Sequence, residues 1–296
     1  MPKLVWFNGT VSPLETASVP AMDHAHLYGD GIFEGIRIYD RKVFKLDQHL
    51  DRLFHGANFL GFDVPHTKAE LRAIVLDVCA QANLDAGYIR LNVTRGSGLG
   101  LNPKAVETRA NVMVAISSLA LYPAEAYDTG LDVITSSIRV ITSDALDPRL
   151  KCIGRYASNI MAKGEANRAG AGEALMLNAQ GHVAECTGDN IFIFSNGVLK
   201  TPHSSCGILR GITRDTVLQL AREAGIPTEE TILSLFDIVE ADEAFLTGTA
   251  AEVIPMVRLD HRPIGDGKPG PRTVDMIARF RAHTATGVPF GTLVAA

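Results

Sequence analysis

Pro148-Arg149-Leu150-Lys151-Cys152-Ile153-Gly154-Arg155-Tyr156 lies midway along the chain, just ahead of a helical stretch that runs to Gly170. Lys151 follows a proline-containing turn and is flanked by Leu150, Cys152 and Ile153, whereas most of the other lysines sit in segments that read as solvated. A lysine in partly apolar surroundings has a depressed pKa, which frees its amine for Schiff-base chemistry. The competing reading is a structural or exposed lysine. The rest of the chain decides between them.

The bulk properties set the frame. A chain of 296 residues with 46% hydrophobic and 21% charged residues reads as a soluble globular protein, and this length suggests about two domains. A net charge of −5 and a pI near 6.0 argue against nucleic acid or an anionic membrane as main partner. The stretch Met1 to Gly9 reaches a turn before a signal-peptide apolar region forms. No apolar run approaches the roughly 20 residues of a membrane helix. Cys79, Cys152, Cys186 and Cys206 show neither C-x-x-C nor zinc spacing, and His24 and His26 lack a third ligand, so no metal is expected. A reduced, cytoplasmic protein follows from these readings.

Leu46, Leu50, Leu53, Ala57 and Leu60 recur at helical spacing with Asp47 as a cap, and a second helix spans about Ala69 to Ala82. Two strands, around Tyr88–Thr94 and Asn111–Ser117, flank the glycine-rich loop Arg95 to Pro103. Gly96-Ser97-Gly98-Leu99-Gly100 misses G-x-G-x-x-G spacing and lies between antiparallel strands, so it is no dinucleotide fingerprint. Residues 1–120 therefore read as a small domain of helices and antiparallel sheet, 121–130 as a linker and 131–296 as a larger domain. That second part opens with a strand, Leu131–Thr142, and shows hairpin signals at Asn178–Gly181 and Ser195–Gly197. The apolar tail Val288 to Ala296 has no pattern.

Pyridoxal phosphate asks for a lysine, an acid at the pyridine nitrogen, a donor at the phenolic oxygen and a phosphate cup. Glu185, closing the strand Gly181–Glu185, offers the acid; its other reading is a strand-end surface glutamate. Leu209-Arg210-Gly211-Ile212-Thr213 leads into a helix whose first amides face an anion, although Thr213 alone also serves as an ordinary cap. Thr249, after Gly248 and before Ala250, adds a hydroxyl and an amide. Arg52 lies away from the leucine stripe and suits bidentate phosphate binding, against a solvated helix arginine. Tyr156 suits the phenolic oxygen, against simple packing.

Taken in order, these segments resemble the class IV (fold type IV) aminotransferases, and most closely the branched-chain amino acid aminotransferases. The likeness runs from about Trp6 to Pro271 and is most specific at Tyr28 to Arg37, His49-Leu50-Asp51-Arg52-Leu53, Pro148 to Tyr156, Glu185 with Asp189-Asn190-Ile191-Phe192, Gly211-Ile212-Thr213-Arg214 and Gly248-Thr249-Ala250-Ala251-Glu252. The resemblance implies a two-domain α+β fold with pyridoxal 5'-phosphate in the interdomain cleft and Lys151 as catalytic base and Schiff-base lysine. Arg52, Gly211, Ile212, Thr213, Gly248 and Thr249 would surround the phosphate, Glu185 the ring nitrogen, Tyr156 the phenolic oxygen, and Leu209 the ring face. It also implies a homodimer in which Tyr28 and the Leu101 loop reach the neighbouring active site.

Phe33-Glu34-Gly35-x-Arg37 is similar to the branched-chain pattern, in which Gly35 leaves room for an aliphatic side chain among Phe33, Tyr28 and Tyr156. Tyr88-Ile89-Arg90 places Arg90 to receive the distal carboxylate of glutamate, while Thr249 and Ala250 border the substrate. The competing resemblance is to D-amino-acid aminotransferases through Val93-Thr94-Arg95-Gly96, but Leu99 and Leu101 stand where that family carries an arginine and a histidine. An (R)-amine transaminase, an aminodeoxychorismate-lyase-like enzyme and a non-catalytic pyridoxal phosphate-binding protein remain as further readings. Arg155, where branched-chain enzymes often carry asparagine, departs from the pattern. The expected reaction moves an amino group between leucine, isoleucine or valine and 2-oxoglutarate.

Overall fold

The computed structural model describes residues 3–119 and 121–291. They form two compact units: one from residues 3–119, 150–155 and 284–291, the other from 121–149 and 156–283. Both mix helices and sheet.

The first unit is built on a seven-stranded sheet. At its centre the strands Gly31–Tyr39, Gly87–Thr94 and Asn111–Ser117 run antiparallel, with Ile36 opposite Ile89 and Ile89 opposite Ile116. Side chains alternate across a strand. One face carries Ile36, Ile38, Ile89, Leu91, Val93, Val112, Val114 and Ile116, all buried. The helices Leu46–Leu60 and Lys68–Ala82 pack on this sheet. The opposite face presents Arg37, Tyr88, Arg90 and Asn92, each half-buried. That asymmetry makes one face core and leaves the other to chemistry.

The first helix buries Leu46, Leu50, Leu53 and Ala57. Its cap is not Asp47: the N-cap position is Lys45 at φ 53°, and Asp47 lies in the first turn. There its charge suits the helix dipole, and its Oδ1 accepts from Arg72 Nε at 3.2 Å. The second helix is closed at its start by a capping box of Thr67 and Glu70. Of the unpatterned tail, Val288–Pro289 pairs antiparallel with Lys42–Val43 and Phe290 is buried. Residues 292–296 lie outside the described residues.

A nine-stranded sheet organises the second unit. The stretch expected as a linker packs within it: Tyr122 and Ala126 are buried in the same core as Leu131, Ile193 and Leu246. The strand expected over Leu131–Thr142 ends at Thr135. The Ser136 amide still reaches the Leu175 carbonyl at 2.8 Å, but side chains take the amides on either side of it, Asp260 accepting from Thr135 at 2.6 Å and Glu165 from Ser137 at 2.9 Å. Leu131–Thr135 pairs parallel with Glu173–Leu177, which requires a long crossover. The crossover contains the helix Tyr156–Ala169 and also the 150–155 excursion that belongs to the first unit. Asn196 and Gly197 join their hairpin at φ 51° and 84°, the left-handed pair that a tight two-residue turn demands.

Candidate active site

In the first unit, residues 151–154 lie along the start of the strand Gly31–Tyr39. The Phe33 amide donates to the Lys151 carbonyl at 3.1 Å, the Ile153 amide to Gly31 at 2.8 Å and the Gly154 amide to Gly29 at 3.1 Å. Gly29 is at φ 71°, and a Cβ there would strike the Gly154 backbone, so the pairing needs glycine. Leu150 and Cys152 are buried while Lys151 and Ile153 are half-buried, the alternation of a strand-like segment. Lys151 thereby projects beside Phe33, its Nζ 4.6 Å from the ring centroid. Lys163, the other lysine in this part of the sequence, is tied to the Gly172 carbonyl and to Glu173.

Phe33 also carries Arg90, whose Cζ lies 3.5 Å from the ring centroid. The space beside Gly35 is taken: an ideal Cβ would fall on the Tyr88 hydroxyl. Gly35 therefore admits Tyr88 onto the open face, which amends the simpler picture of room left for an aliphatic side chain. Arg37 reaches the Leu119 carbonyl at 3.3 Å and lies over Tyr39. Tyr28, 40% exposed, accepts from the Gly100 amide at 2.9 Å and so holds the loop in which Leu99 and Leu101 are exposed.

Arg52 is clamped from behind. Its Nε and Nη2 donate to Glu34 Oε1 and Oε2, each at 2.7 Å, and His49 Nδ1 lies 2.7 Å from Oε2. Glu34 is fully buried on the helix-facing side of its strand. Burial pushes its carboxyl up, but Arg52 and His49 pull it further down, to about 2. Burial lowers the His49 pKa, with Glu34 opposing and Arg52 and Lys151 adding to the fall. A neutral imidazole donating to a charged carboxylate fits these shifts. Reading the sequence as His49 and Arg52 on one helix face missed Glu34 as the group that joins them. Its signal was a glutamate at an inward position of an otherwise apolar strand.

In the second unit Glu185 is 5% exposed at the end of Val183–Cys186. Its Oε2 accepts from the Leu209 amide at 2.7 Å and from Asn190 Nδ2 at 3.3 Å. Asn190 also donates to the Leu209 carbonyl at 2.9 Å, and a Cβ on Gly211 would fall on Asn190 Oδ1. Asn190 thus binds the acid to the loop that opens the helix Ile212–Glu223. Gly211 is that helix's N-cap and makes no side-chain cap bond, leaving the amides around Ile212 and Thr213 to an anion. Thr213 is buried as the second residue of the helix.

Thr249, Ala250 and Ala251 form the turn between Glu243–Gly248 and Glu252–Leu259. Gly248 is forced by Asp189, whose Oδ1 occupies the Cβ position, and the Ala251 carbonyl accepts from Tyr127 at 3.0 Å. Tyr156 is the first residue of Tyr156–Ala169 and half-buried. A buried carboxylate held by donors suits a protonated ring nitrogen, and an uncapped helix start suits a phosphate, so these residues fit pyridoxal phosphate.

The family model for "Amino-transferase class IV" matches residues 31–259. A putative branched-chain-amino-acid aminotransferase of Methanocaldococcus jannaschii is 44% identical over 94% of this chain and 95% of its own. The branched-chain-amino-acid aminotransferase of Escherichia coli K12 is 37% identical over 91% and 89%. A crystal structure of the E. coli enzyme superposes with a TM-score of 0.91 at 34% identity, covering 100% of this chain and 98% of that one. The Thermobaculum terrenum branched-chain aminotransferase in its PLP form gives a TM-score of 0.85 at 30% identity, covering 96% and 94%. On the extent of these matches and on the residues assembled above, the chain belongs to the class IV aminotransferases.

Proposed function

We propose that the protein is a branched-chain L-amino acid transaminase whose pyridoxal 5'-phosphate would be held by Lys151, Arg52, Tyr156, Glu185, Leu209, Gly211, Ile212, Thr213, Gly248 and Thr249. The cofactor supplies a ring that accepts electrons from the substrate α-carbon. Lys151 Nζ carries the proton to and from that carbon. The Glu185 carboxylate holds the ring-nitrogen proton. Arg52, fixed by Glu34, the Ile212 amide and the hydroxyls of Thr213 and Thr249 would hold the phosphate.

The observation that carries the substrate reading is Arg90 stacked on Phe33, with Lys151 at the same ring. An apolar ring and a cation on one face suit an aliphatic side chain in one half-reaction and a second carboxylate in the other. The likeness to D-amino-acid enzymes draws no support from Arg95: its Nε lies 2.5 Å from Asp30, and Nη2 donates to the Leu60 carbonyl at 2.8 Å. That arginine is a brace. Exposed Leu99 and Leu101 beside Tyr28 favour a homodimer, and four free, buried cysteines suit a cytoplasmic location. Single-turnover spectroscopy with L-leucine, L-glutamate, D-alanine and a chiral amine tests the reading. L-Leucine and L-glutamate are expected to react, and faster turnover of D-alanine than of L-leucine overturns it.

A further inference from the structure

We propose that Asn92 is a positioning residue that sets which edge of Arg90 receives the distal carboxylate of the dicarboxylic substrate. The inference rests on the reading of Arg90 as that carboxylate's receptor.

Asn92 and Arg90 are two apart on the central strand, so they share the half-exposed face, with Asn92 directly across from Phe33 and Arg90 across from Gly35. Gly35 offers Arg90 no side chain to lie against, and the Tyr88 hydroxyl fills that space. Arg90 instead lies over Phe33, and its Nε donates to Asn92 Oδ1 at 2.7 Å. The ring sets the tilt of the guanidinium and the amide sets its rotation within that plane. A guanidinium grips a carboxylate through either the Nε/Nη2 edge or the Nη1/Nη2 edge. Nε carries a single hydrogen, and Asn92 has taken it. The distal carboxylate therefore meets the terminal Nη1/Nη2 edge, which fixes the direction from which a dicarboxylate is held.

The chemistry of the acceptor matters as much as its place. An amide oxygen orients Arg90 without neutralising it, whereas a carboxylate there would pair with the guanidinium and compete with the substrate. An aliphatic ligand draws nothing from this arrangement beyond the apolar ring.

The test compares Asn92→Leu, Asn92→Asp and Arg90→Ala in the holoenzyme. Binding of two unreactive ligands, glutarate and 4-methylpentanoate, is followed by the cofactor absorbance, alongside single turnovers with L-glutamate and L-leucine. Asn92→Leu should weaken glutarate relative to 4-methylpentanoate by roughly ten- to a hundredfold, as expected for losing one hydrogen bond to a charged group. Asn92→Asp, nearly isosteric, should widen that ratio further because it adds a competing charge. The same ordering is expected in the turnover ratio of glutamate to leucine. An Asn92→Asp protein that keeps the wild-type ratio, or an Asn92→Leu protein that weakens both ligands equally, overturns the proposal. Arg90→Ala separates the two levels. If it damages both ligands alike, the receptor reading itself fails; if it is selective and the Asn92 variants are not, only the role of Asn92 falls.

Discussion

On the first sheet, Phe33, Arg37, Tyr88, Arg90 and Asn92 share a face because side chains two apart on a strand point the same way, and the register of two antiparallel strands does the rest. In the second unit Glu185 stands at a strand end and Leu209 and Gly211 on one loop, held together by the Leu209 amide and by hydrogen bonds through Asn190. The first arrangement is a surface on which the alternation of the strands lays side chains next to one another. The second is a hub, in which one side chain satisfies several partners at once. Substitutions on the open face should therefore act locally, and those at the hub should spread.

The largest effect should come from Lys151. Lys151→Ala is expected to lower transamination by several orders of magnitude, since nucleophile and proton carrier are lost together, while the phosphate-binding residues still retain cofactor. Borohydride reduction and peptide mapping of the wild type should find the cofactor on Lys151. Finding it on Lys163 would break the assignment, because that side chain is held by Gly172 and Glu173.

Glu185→Gln keeps the shape of the hub and removes its charge. Proton abstraction in single turnovers should fall by roughly two orders of magnitude, the scale of losing one preorganised electrostatic contact, with modest loss of cofactor. Unchanged kinetics would return Glu185 to a purely structural place.

Gly211→Ala tests whether the hub spreads damage. The added methyl falls on Asn190 Oδ1, so Asn190 must give up its hold on Leu209 and Glu185. Overpacking of this kind costs about 1–3 kcal/mol, read here as weaker cofactor retention. The double change Gly211→Ala with Asn190→Ala should cost less than the sum of the single changes. Strict additivity would mean that the two residues do not share a contact.

Glu34 offers a pH-dependent effect on the helix-facing side of the first sheet. Its folded carboxyl lies at about 2, below the ordinary 4.5, so its stabilisation is full above pH 4.5 and is lost as pH falls toward 2. The linkage amounts to roughly 3 kcal/mol at neutral pH. In Glu34→Gln, the difference in urea midpoint between pH 7 and pH 3 should shrink accordingly. An unchanged difference would show that other carboxylates carry the acid limb.

A local effect is expected at Gly35→Ala, where the methyl meets the Tyr88 hydroxyl and the edge of its ring. A cost of about 1 kcal/mol, at the low end for an added methyl, should appear as a shift in the preference among leucine, isoleucine and valine, and Tyr88→Phe should restore part of it. Damage as broad as that of Gly211→Ala would erase the distinction between surface and hub.

How much of this was legible in the sequence follows the same divide. The spacing Leu46, Leu50, Leu53, Ala57 marked a helix, and the runs 88–94 and 111–117 marked strands, because periodicity is a local property imposed by backbone geometry. Ends were less legible: Asp47 looked like a cap but Lys45 holds that position, and Leu131–Thr135 stops where Asp260, 125 residues further on, takes its last amide. Lys151, Arg52 and Glu185 could be proposed from the sequence because an amine, a guanidinium and a carboxylate in ordered motifs have few uses together. Glu34, Asn92 and Asn190 were not, because their importance lies in the group each one holds.

Residue type and short-range pattern were enough to establish which elements form, which face of each is apolar and which functional groups the chain carries. Three-dimensional packing established that Gly35 admits Tyr88, that Glu34 joins His49 to Arg52, and that Asn190 ties Glu185 to the loop at Gly211. The physical reason is range. Alternation and helical spacing act over two to four residues, whereas a hydrogen bond between side chains far apart in sequence exists only once the intervening strands and helices have closed on each other.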